Sequence, residues 1–474
     1  MRLVFVVVAL FCAYLTGNRL AHPFIDGDLF WQRQLGEYVL AHHAIPHALG
    51  TDTFTAAGAP WVPHEWLLST VVALAFAHDA IWTLSVLAGL AVFVALMLAA
   101  WRAKRAGTST YSTLAVLIFA GICLEGPFAI RAQVLAWPLL AALMLALDLD
   151  GPGVLLALPL IAAWANLHAS VMIAVPIVWL DAVVYAWQRW RDGTLASDRG
   201  LRWRAVLCVG APLATLCTPL GIALPIYSYD VLNSPLRQYI AEWQPLNGLT
   251  TQIVAGFFPL LALCLWAAPK LLRRRPRDLF LTLLMAVWTF VAVRNIALFG
   301  LVAVTGAAFA IDEGKGWEDP LAARRFAWVP AFALLVLVPL VGAIAYRAQP
   351  ISSVWTPPTQ AVAALARMPG EHDLLCAEFS KCSVFLGTPN VRDFIDGRAD
   401  PFPPDVWSAF VTISAMLPGW QETVDHYRVN AILANRGSDM ESALKAWPAW
   451  REVPTSDACC TLFVRKEAES RPRI

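Results

Sequence analysis

The side chains best suited to chemistry are Asp26, Asp28, His64, Glu65, Arg131, Asn166, His168, Arg237, Glu242, Arg294 and Asn295, set in mostly apolar sequence. Asp26 and Asp28 flank Gly27, and side chains at i and i+2 of an extended segment share a side. Such a pair can bind a divalent cation, or one member can serve as a base with a shifted pKa. The same stretch also reads as a solvated loop in which Asp28 caps a helix over 29–40. His64 and Glu65 lie between Trp61 and Trp66 and open the next helix, where a carboxylate is favoured by the helix dipole and the tryptophans suit an interface. Arg131, His168, Arg294 and Asn295 fit function or snorkelling and capping equally. Asn166 has the weakest functional case, because a buried amide often ties two helices together. The loop over 225–250 interleaves Tyr227, Tyr229, Tyr239 and Trp243 with Arg237 and Glu242. That pattern suits a sugar, with rings stacking on its faces and charges bonding its hydroxyls, and equally suits an interfacial aromatic belt.

The elements that must position these residues follow from composition. The chain has 474 residues, 58% hydrophobic and 15% charged, and its mean hydropathy is +0.59. Soluble domains carry about 25% charged residues, so this is a polytopic membrane protein. A net charge of +1 gives no electrostatic reason to bind nucleic acid. Basic clusters fall at Arg2, Arg102/Lys104/Arg105, 189–204, 270–277 and Arg324/Arg325. Cytoplasmic loops carry the Lys/Arg excess, which places all five inside. The first apolar run, 3–15, reads as a retained helix rather than a signal peptide, since no clear small-residue cleavage site follows it. Further runs at about 80–101, 108–124, 128–147, 153–167, 169–188, 205–224, 251–269, 279–293, 296–311 and 327–346 complete about eleven spans, with 65–77 dipping in or lying at the surface. Several are shorter than the ~20 residues of a full crossing, which suggests a water-filled cavity. Threaded this way, every polar residue named above arrives at the outer face. Intramembrane and membrane-edge ionisable groups gathered like this point to function.

Residues 1–349, with a first outer loop over 18–64, therefore read as a helical membrane domain, and 350–474 as a small extracytoplasmic α/β domain. The latter is charged throughout, with strand-length apolar runs at 374–376, 394–395, 431–433 and 461–464 and helical patterns at 359–367 and 406–416. Of nine cysteines, Cys12, Cys123, Cys208, Cys217 and Cys264 sit in apolar runs and read as packing residues. Cys376, Cys382, Cys459 and Cys460 lie in the outer domain, where disulfides are permitted; Cys376 with Cys382 is one pairing among several that spacing cannot decide.

The Asp-x-Asp of the first loop, the Pro63-His64-Glu65-Trp66 segment, Trp164-Ala165-Asn166-Leu167-His168, the Ser234-Pro235-x-x-Arg237-x-Tyr239-Ile240-x-Glu242-Trp243 loop and Arg294-Asn295 resemble a bacterial group within the GT-C glycosyltransferase superfamily, alongside protein mannosyltransferases and lipid A aminoarabinose transferases. Asp393-Phe394-Ile395-Asp396-Gly397-Arg398-Ala399-Asp400 resembles the C-terminal part of that group. The resemblance implies an inner-membrane enzyme that moves a sugar from a polyprenyl-phosphate donor to an acceptor hydroxyl at the periplasmic face. The acceptor would belong to a glycan, a lipid or a protein. A first-loop carboxylate would be the base: Asp28 in preference, with Asp26 as helper or cation ligand, or the reverse. Where many of that group carry a histidine after the tryptophan, this chain has Gln32. A divalent cation, Mg or Mn, is a cofactor of many such enzymes and would sit on Asp26 and Asp28. Arg131, Arg237 and Arg294 are then candidates for neutralising the lipid phosphate, assisted by His168 or His64, with Glu65 and Glu242 in the binding site. The turn Asp396-Gly397-Arg398 reads either as an acceptor contact through Arg398 and Asp400 or as a structural turn with an internal ion pair. A lipid or glycan transporter or flippase would also need polar residues in a cavity, but would place them near the midplane. A non-catalytic envelope assembly protein is the third reading, and in it the carboxylates would be dispensable.

Overall fold

The computed structural model describes residues 1–24, 27–246, 248–312 and 355–466. Asp26, the span expected over 327–346 and the domain boundary expected at 349/350 lie outside the described residues. The described chain is mostly helical, with a small C-terminal sheet, and divides into two compact units.

The helical unit takes residues 1–21, 82–232 and 240–312. The first helix, α1, runs Arg2–Ala21, longer than the apolar run that announces it, because Thr16 and Asn18 continue the helix to Arg19 in its last turn. After it in this unit come Ile81–Arg105, Thr110–Glu125, Ala132–Leu147, Ala157–Ala165, Ala174–Arg191, Gly200–Thr215 and Ala223–Asn233, then Phe258–Trp266, Ala268–Arg274, Pro276–Val291 and Ile296–Ile311. With two helices of the other unit, Asp28–His42 (α2) and Trp66–Ala77 (α3), counted in chain order, these are α4 to α14. Among the described residues, four helical segments are long and apolar enough to cross a membrane: Arg2–Ala21, Ile81–Arg105, Ala169–Arg191 and Val293–Ile311; Gln252–Trp266 with Ala268–Arg274 is a further pair bent by 66°. The apolar run expected over 205–224 is broken: α9 ends at Thr215 and α10 begins at Ala223, across a turn holding Pro219 and Gly221, whose φ is +50°. Small residues bring α5 and α14 together, where a Cβ on Gly300 would stand 2.8 Å from the Cβ of buried Cys123. Close approach through small residues replaces the hydrophobic drive that lipid removes.

Charged groups collect at the two ends of this unit. At one end Arg102 closes α4 and bonds Asp148 (2.8 Å) and Asp278 (2.6 Å). Arg277 pairs with Asp148, and with Asp181 at 3.1 Å; Arg204 pairs with Asp181 at 3.2 Å. Arg102, Arg204, Asp181 and Asp278 are buried. The basic residues that set the threading are thus partly internal, paired with three carboxylates from α6, α8 and α13 rather than solvated in loops. The second cluster lies at the other end, since α6 carries Arg131 before its first residue and Asp148 after its last, about 26 Å apart at 1.5 Å per residue.

The sheet unit takes residues 22–81, 233–239 and 355–466. Its strands are β1 His372–Cys376, β2 Val391–Asp393, β3 Ala431–Asn435, β4 Trp450–Val453 and β5 Cys460–Arg465, in the order β2-β1-β3-β5-β4. The first two pairings, β1 with β2 and β1 with β3, are parallel, and β5 is antiparallel to β3 and β4. The helices Thr359–Arg367 (α15), Phe379–Cys382 (α16), Pro404–Ser414 (α17), Trp420–His426 (α18) and Asp439–Ala446 (α19) surround it. The strand expected at 394–395 sits at 391–393, and β4 goes beyond the sequence reading. Leu374, Cys376, Val391, Ala431, Leu433, Leu462 and Val464 pack with Ala361, Leu365 and Phe385 in one core. Disulfides join Cys376 to Cys382 and Cys459 to Cys460. The first loop belongs to this sheet: Asp393 N–H donates to the Asp52 carbonyl (2.7 Å), Phe54 N–H to that of Asp393 (3.2 Å), and Thr55 Oγ1 to that of Phe394 (2.5 Å). The loop thereby covers the open edge of β2, which would otherwise present unpaired backbone groups.

Candidate functional site

In the helical unit, backbone bonds fix the loop that carries Glu242. Val293 N–H donates to the Gln244 carbonyl (3.0 Å), and Leu246 N–H to that of Phe290 (3.2 Å). Glu242 is held this way beside the turn Val293–Asn295. Arg131 stands in extended backbone at the N-cap of α6 and donates from Nη1 to Glu242 Oε2 at 3.1 Å. Arg294 Nη1 lies 4.0 Å from Glu242 Oε1, and its guanidinium sits 5.9 Å from the Trp243 ring centre. Burial opposes ionisation of Glu242, but the guanidiniums of Arg294 and Arg131 outweigh it and hold the carboxyl below its ordinary range. Two guanidiniums around one carboxylate leave a surplus positive charge.

His168 completes the cluster. It caps the helical turn Ala169–Ile173, its Nδ1 accepting from Ser170 N–H at 3.0 Å, and Trp164 Nε1 donates to Ser170 Oγ at 3.0 Å. With Nδ1 an acceptor, the proton of the neutral ring lies on Nε2. That nitrogen is 3.4 Å from Arg294 Nη2. With its proton on Nε2, His168 and Arg294 offer an anion two neighbouring donors.

Asn166 and Asn295 do structural work. Asn166 Nδ2 donates to the Ala162 and Cys217 carbonyls (2.8 and 2.7 Å), and Asn295 Nδ2 to those of Trp288 and Ala292 (3.0 and 3.2 Å). Asn295 adds a second donor to carbonyls at the end of α13, and Asn166 ties the end of α7 to the chain just past α9.

In the sheet unit, Asp28 is the first residue of α2, and Gly27 takes the cap position without a side-chain bond. Asp28 thus stands one position inside the cap expected of it, and its Oδ1 accepts from Trp31 Nε1 at 3.3 Å. Glu65 occupies the cap position of α3 but makes no capping bond there. Its Oε2 accepts from Gln32 Nε2 at 2.6 Å, and its Oε1 lies 3.8 Å from His64 Nε2. Gln32, buried among apolar neighbours, therefore aligns Glu65. Arg398 is buried and bonds Asp396 through Nε and Nη2 (3.0 and 2.6 Å), with Asp52 Oδ2 at 3.0 Å and the Trp61 ring centre at 5.5 Å. The turn Asp396-Gly397-Arg398 is an internal ion pair, the second of the two readings above.

The loop over 225–250 is divided. Arg237 lies on the turn Pro235–Gln238, capped by Ser234, within the sheet unit. Tyr239 stacks on Trp407 with ring centres 5.6 Å apart and planes at 4°. Glu242 and Trp243 belong to the helical unit. Tyr239 and Trp243 thus spend ring faces on Trp407 and Arg294, which leaves less aromatic surface for a sugar than the sequence pattern offers.

Sequence reasoning missed Trp31 and Ser170 as partners of these groups. Only Ser170 has a local signal, a hydroxyl two residues beyond a histidine at a helix start.

No family model matches the chain, and no curated protein matches it in sequence. Solved structures match it in fold. The oligosaccharyltransferase AglB from Archaeoglobus fulgidus, in complex with an inhibitory peptide and a dolichol-phosphate, superposes with a TM-score of 0.54 at 12% identity, over 91% of this chain and 69% of AglB. The apo form of the A. fulgidus oligosaccharyltransferase gives 0.55 at 13% identity over the same shares. ArnT from Cupriavidus metallidurans in the apo state gives 0.55 at 14% identity and 99% coverage of both chains. AglB and ArnT are GT-C superfamily glycosyltransferases, so the resemblance expected from the motifs holds at the level of fold.

Proposed function

We propose that this chain is a membrane glycosyltransferase that takes a sugar from a polyprenyl-phosphate donor and transfers it, with inversion, to an acceptor hydroxyl. The acceptor class is a glycan, a lipid or a protein, and the location is the periplasmic face of a bacterial inner membrane. The observation that carries this reading is the cationic cluster of Arg131, Arg294 and His168 around Glu242, set on a fold shared end to end with ArnT. Fold alone does not assign chemistry; the cluster supplies what a lipid-phosphate leaving group requires. The AglB structure contains a dolichol-phosphate, a lipid phosphate of the class proposed.

In the proposed reaction the Asp28 carboxylate removes the acceptor hydroxyl proton. The oxygen attacks the anomeric carbon from the side opposite the phosphate. The bond from that carbon to the phosphate oxygen breaks, its electron pair stays on the oxygen, and configuration inverts as in inverting glycosidases. Arg131 and Arg294, with Arg237 as a third candidate, neutralise the departing phosphate through charge-assisted hydrogen bonds. His168 donates from Nε2. Glu242 keeps the two guanidiniums apart and oriented. Asp26 is the alternative base. His64 Nε2 and Glu65 Oε1 are 3.8 Å apart, a spacing that suits two ligands of one divalent cation. Such an ion would add positive charge for the phosphate.

The test is Asp28→Asn in the full chain, reconstituted with a radiolabelled undecaprenyl-phosphate-linked hexose and acceptor membranes. Transfer should fall about 1,000-fold or more, in line with loss of a general base together with its positioning. Wild-type transfer by both Asp28→Asn and Asp26→Asn would remove the first-loop carboxylates from the chemistry.

A further inference from the structure

The C-terminal sheet unit carries a second role for the turn at Gly397. Gly27, the residue before Asp28, lies so close to the backbone at Ser380 that an added Cβ would run into the Ser380 carbonyl oxygen, with Ser383 Cβ 3.2 Å away. On the far side of the same seat, a Cβ on Gly397 would stand 2.7 Å from Ser383 Oγ, 3.1 Å from Trp31 Cδ1 and 3.3 Å from Asp28 Oδ1. Ser383 is fully buried, and its Oγ accepts from Gly397 N–H at 2.9 Å. The ion pair of Asp396 and Arg398 fixes the turn from both sides, and Arg398 also binds Asp52 of the first loop. The Cys376–Cys382 disulfide closes the segment that leads into Ser383. A side chain on Gly27 would thus meet Ser380 and Ser383, and one on Gly397 would meet Ser383, Trp31 and the carboxylate of Asp28.

We infer that Gly397 and Ser383 are positioning residues for Asp28: the C-terminal unit forms a seat that fixes where the first-loop carboxylate points. This rests on the base assignment made above for Asp28. The physical logic is steric and local. Gly397 has no side chain because Asp28 Oδ1 and the Trp31 indole occupy that space, and Trp31 Nε1 in turn donates to the same Oδ1. A methyl group on Gly397 pushes Ser383 Oγ aside and presses on the indole and the carboxylate, each of which must give by a few tenths of an ångström. A base displaced by about 1 Å can cost on the order of 100-fold in rate, while donor binding through guanidiniums elsewhere in the chain is untouched.

The experiment uses the full chain in detergent, as Gly397→Ala and Ser383→Ala, each alone and combined with Asp28→Asn. Hydrogen exchange is followed at amides 31–35 and at β3 and β5. Transfer is followed with the labelled undecaprenyl-phosphate-linked hexose. Gly397→Ala should speed exchange at 31–35 about 10-fold with β3 and β5 unchanged. It should lower kcat about 10- to 100-fold with donor KM within about twofold, and add no loss to Asp28→Asn, because it acts through that residue. Should Gly397→Ala not fold, Ser383→Ala decides by the same readouts with a loss of about 5-fold, as expected for one hydrogen bond. Unchanged exchange at 31–35, a rise spread over β3 and β5 in a folded variant, or a full further loss on top of Asp28→Asn each overturns the inference. The two readings fail separately. Wild-type transfer by Asp28→Asn sinks the base assignment, and the exchange result still judges the seat.

Discussion

Replacing Arg102 by methionine tests whether the charged end of the helical unit holds α4, α6 and α13 together. Arg102 is 4% exposed. It gives two bonds to Asp148 (2.8 and 3.3 Å) and one to Asp278 (2.6 Å). Methionine fills much of the same volume and removes all three. Breaking a buried ion pair by deleting one partner costs about 3–5 kcal/mol, chiefly because the remaining charge stays buried and unmatched. Here relief is at hand. Asp148 keeps Arg277, and Asp278 keeps Arg275 at 3.5 Å, a residue exposed enough to move inward. The cost should therefore sit at the low end, about 3 kcal/mol, a factor of roughly 150 in the folding equilibrium at 1.4 kcal/mol per tenfold. Reversible unfolding in mixed micelles, by titration with a denaturing detergent, measures it. The comparison is Arg102→Met, Asp278→Leu and the double variant. Because the two side chains touch, the double variant should be more stable than the sum of the single losses by about 1–3 kcal/mol. Donor KM should not change, since Arg131 lies at the opposite end of α6. A loss under about 1 kcal/mol for Arg102→Met, or strict additivity, would refute the claim that this network binds the helices.

Two further outcomes are expected. Asp393 is buried with neither carboxylate oxygen bonded; burial first, and then the Asp396 and Asp52 carboxylates, raise it well above the ordinary range against the pull of Arg398. The folded state therefore keeps a proton that the unfolded chain releases near pH 4, so this group's stability is complete below that pH and is lost as pH rises through the folded value. Asp393→Asn should raise Tm over wild type at pH 8 but not at pH 4, by differential scanning fluorimetry; equal gains at both pH values would contradict this. Arg294→Met should lower kcat/KM for the undecaprenyl-phosphate-linked hexose about 10- to 100-fold, the worth of a charge-assisted hydrogen bond. Arg294→Lys should recover only part, because an ammonium cannot bond two phosphate oxygens in one plane. Steady-state values equal to wild type would remove Arg294 from the phosphate site.

What the sequence made legible depended on whether the signal was local. The helix Ile296–Ile311 matches the expected span because an uninterrupted apolar run lies between Asn295 and Asp312. The separation of the two charged ends was legible too, since Lys/Arg asymmetry is a property of composition near helix ends. That asymmetry separated Arg131, His168, Glu242 and Arg294 from Arg102, Arg204 and Arg277, and the two sets do fall into different clusters. Pairing was not legible. Arg131 meets Glu242 across 111 positions and Gln32 meets Glu65 across 33, and no periodicity encodes such partners. Nearness in sequence even misled: Arg237 and Glu242 look like one recognition loop, yet the Tyr239–Trp407 stack takes Arg237 into the other unit. The edge strand Trp450–Val453 was obscured because Arg451 and Glu452 between its two buried residues make it read as loop, although charges on an edge strand are a usual guard against unwanted pairing.

Gln32 departs from the histidine that the resembling group often has, and the structure gives that departure a physical meaning. A histidine here would titrate between about pH 5 and 8 and change its donor pattern with protonation. The Gln32 amide does not titrate. It donates to Glu65 from a buried position at every pH, so the carboxylate keeps one orientation, with Oε1 turned towards His64. The cost is a fixed geometry that cannot gain charge. If the first-loop carboxylate is the base, any pH dependence of transfer must then come from that carboxylate, from His64 or His168, or from the phosphate itself. The chain has assigned one of its adjustable positions to rigidity, as it has with the glycine seat beneath Asp28. Gln32 orients Glu65 and the contacts at Gly397 crowd Asp28, so both carboxylates are placed by packing and hydrogen bonding.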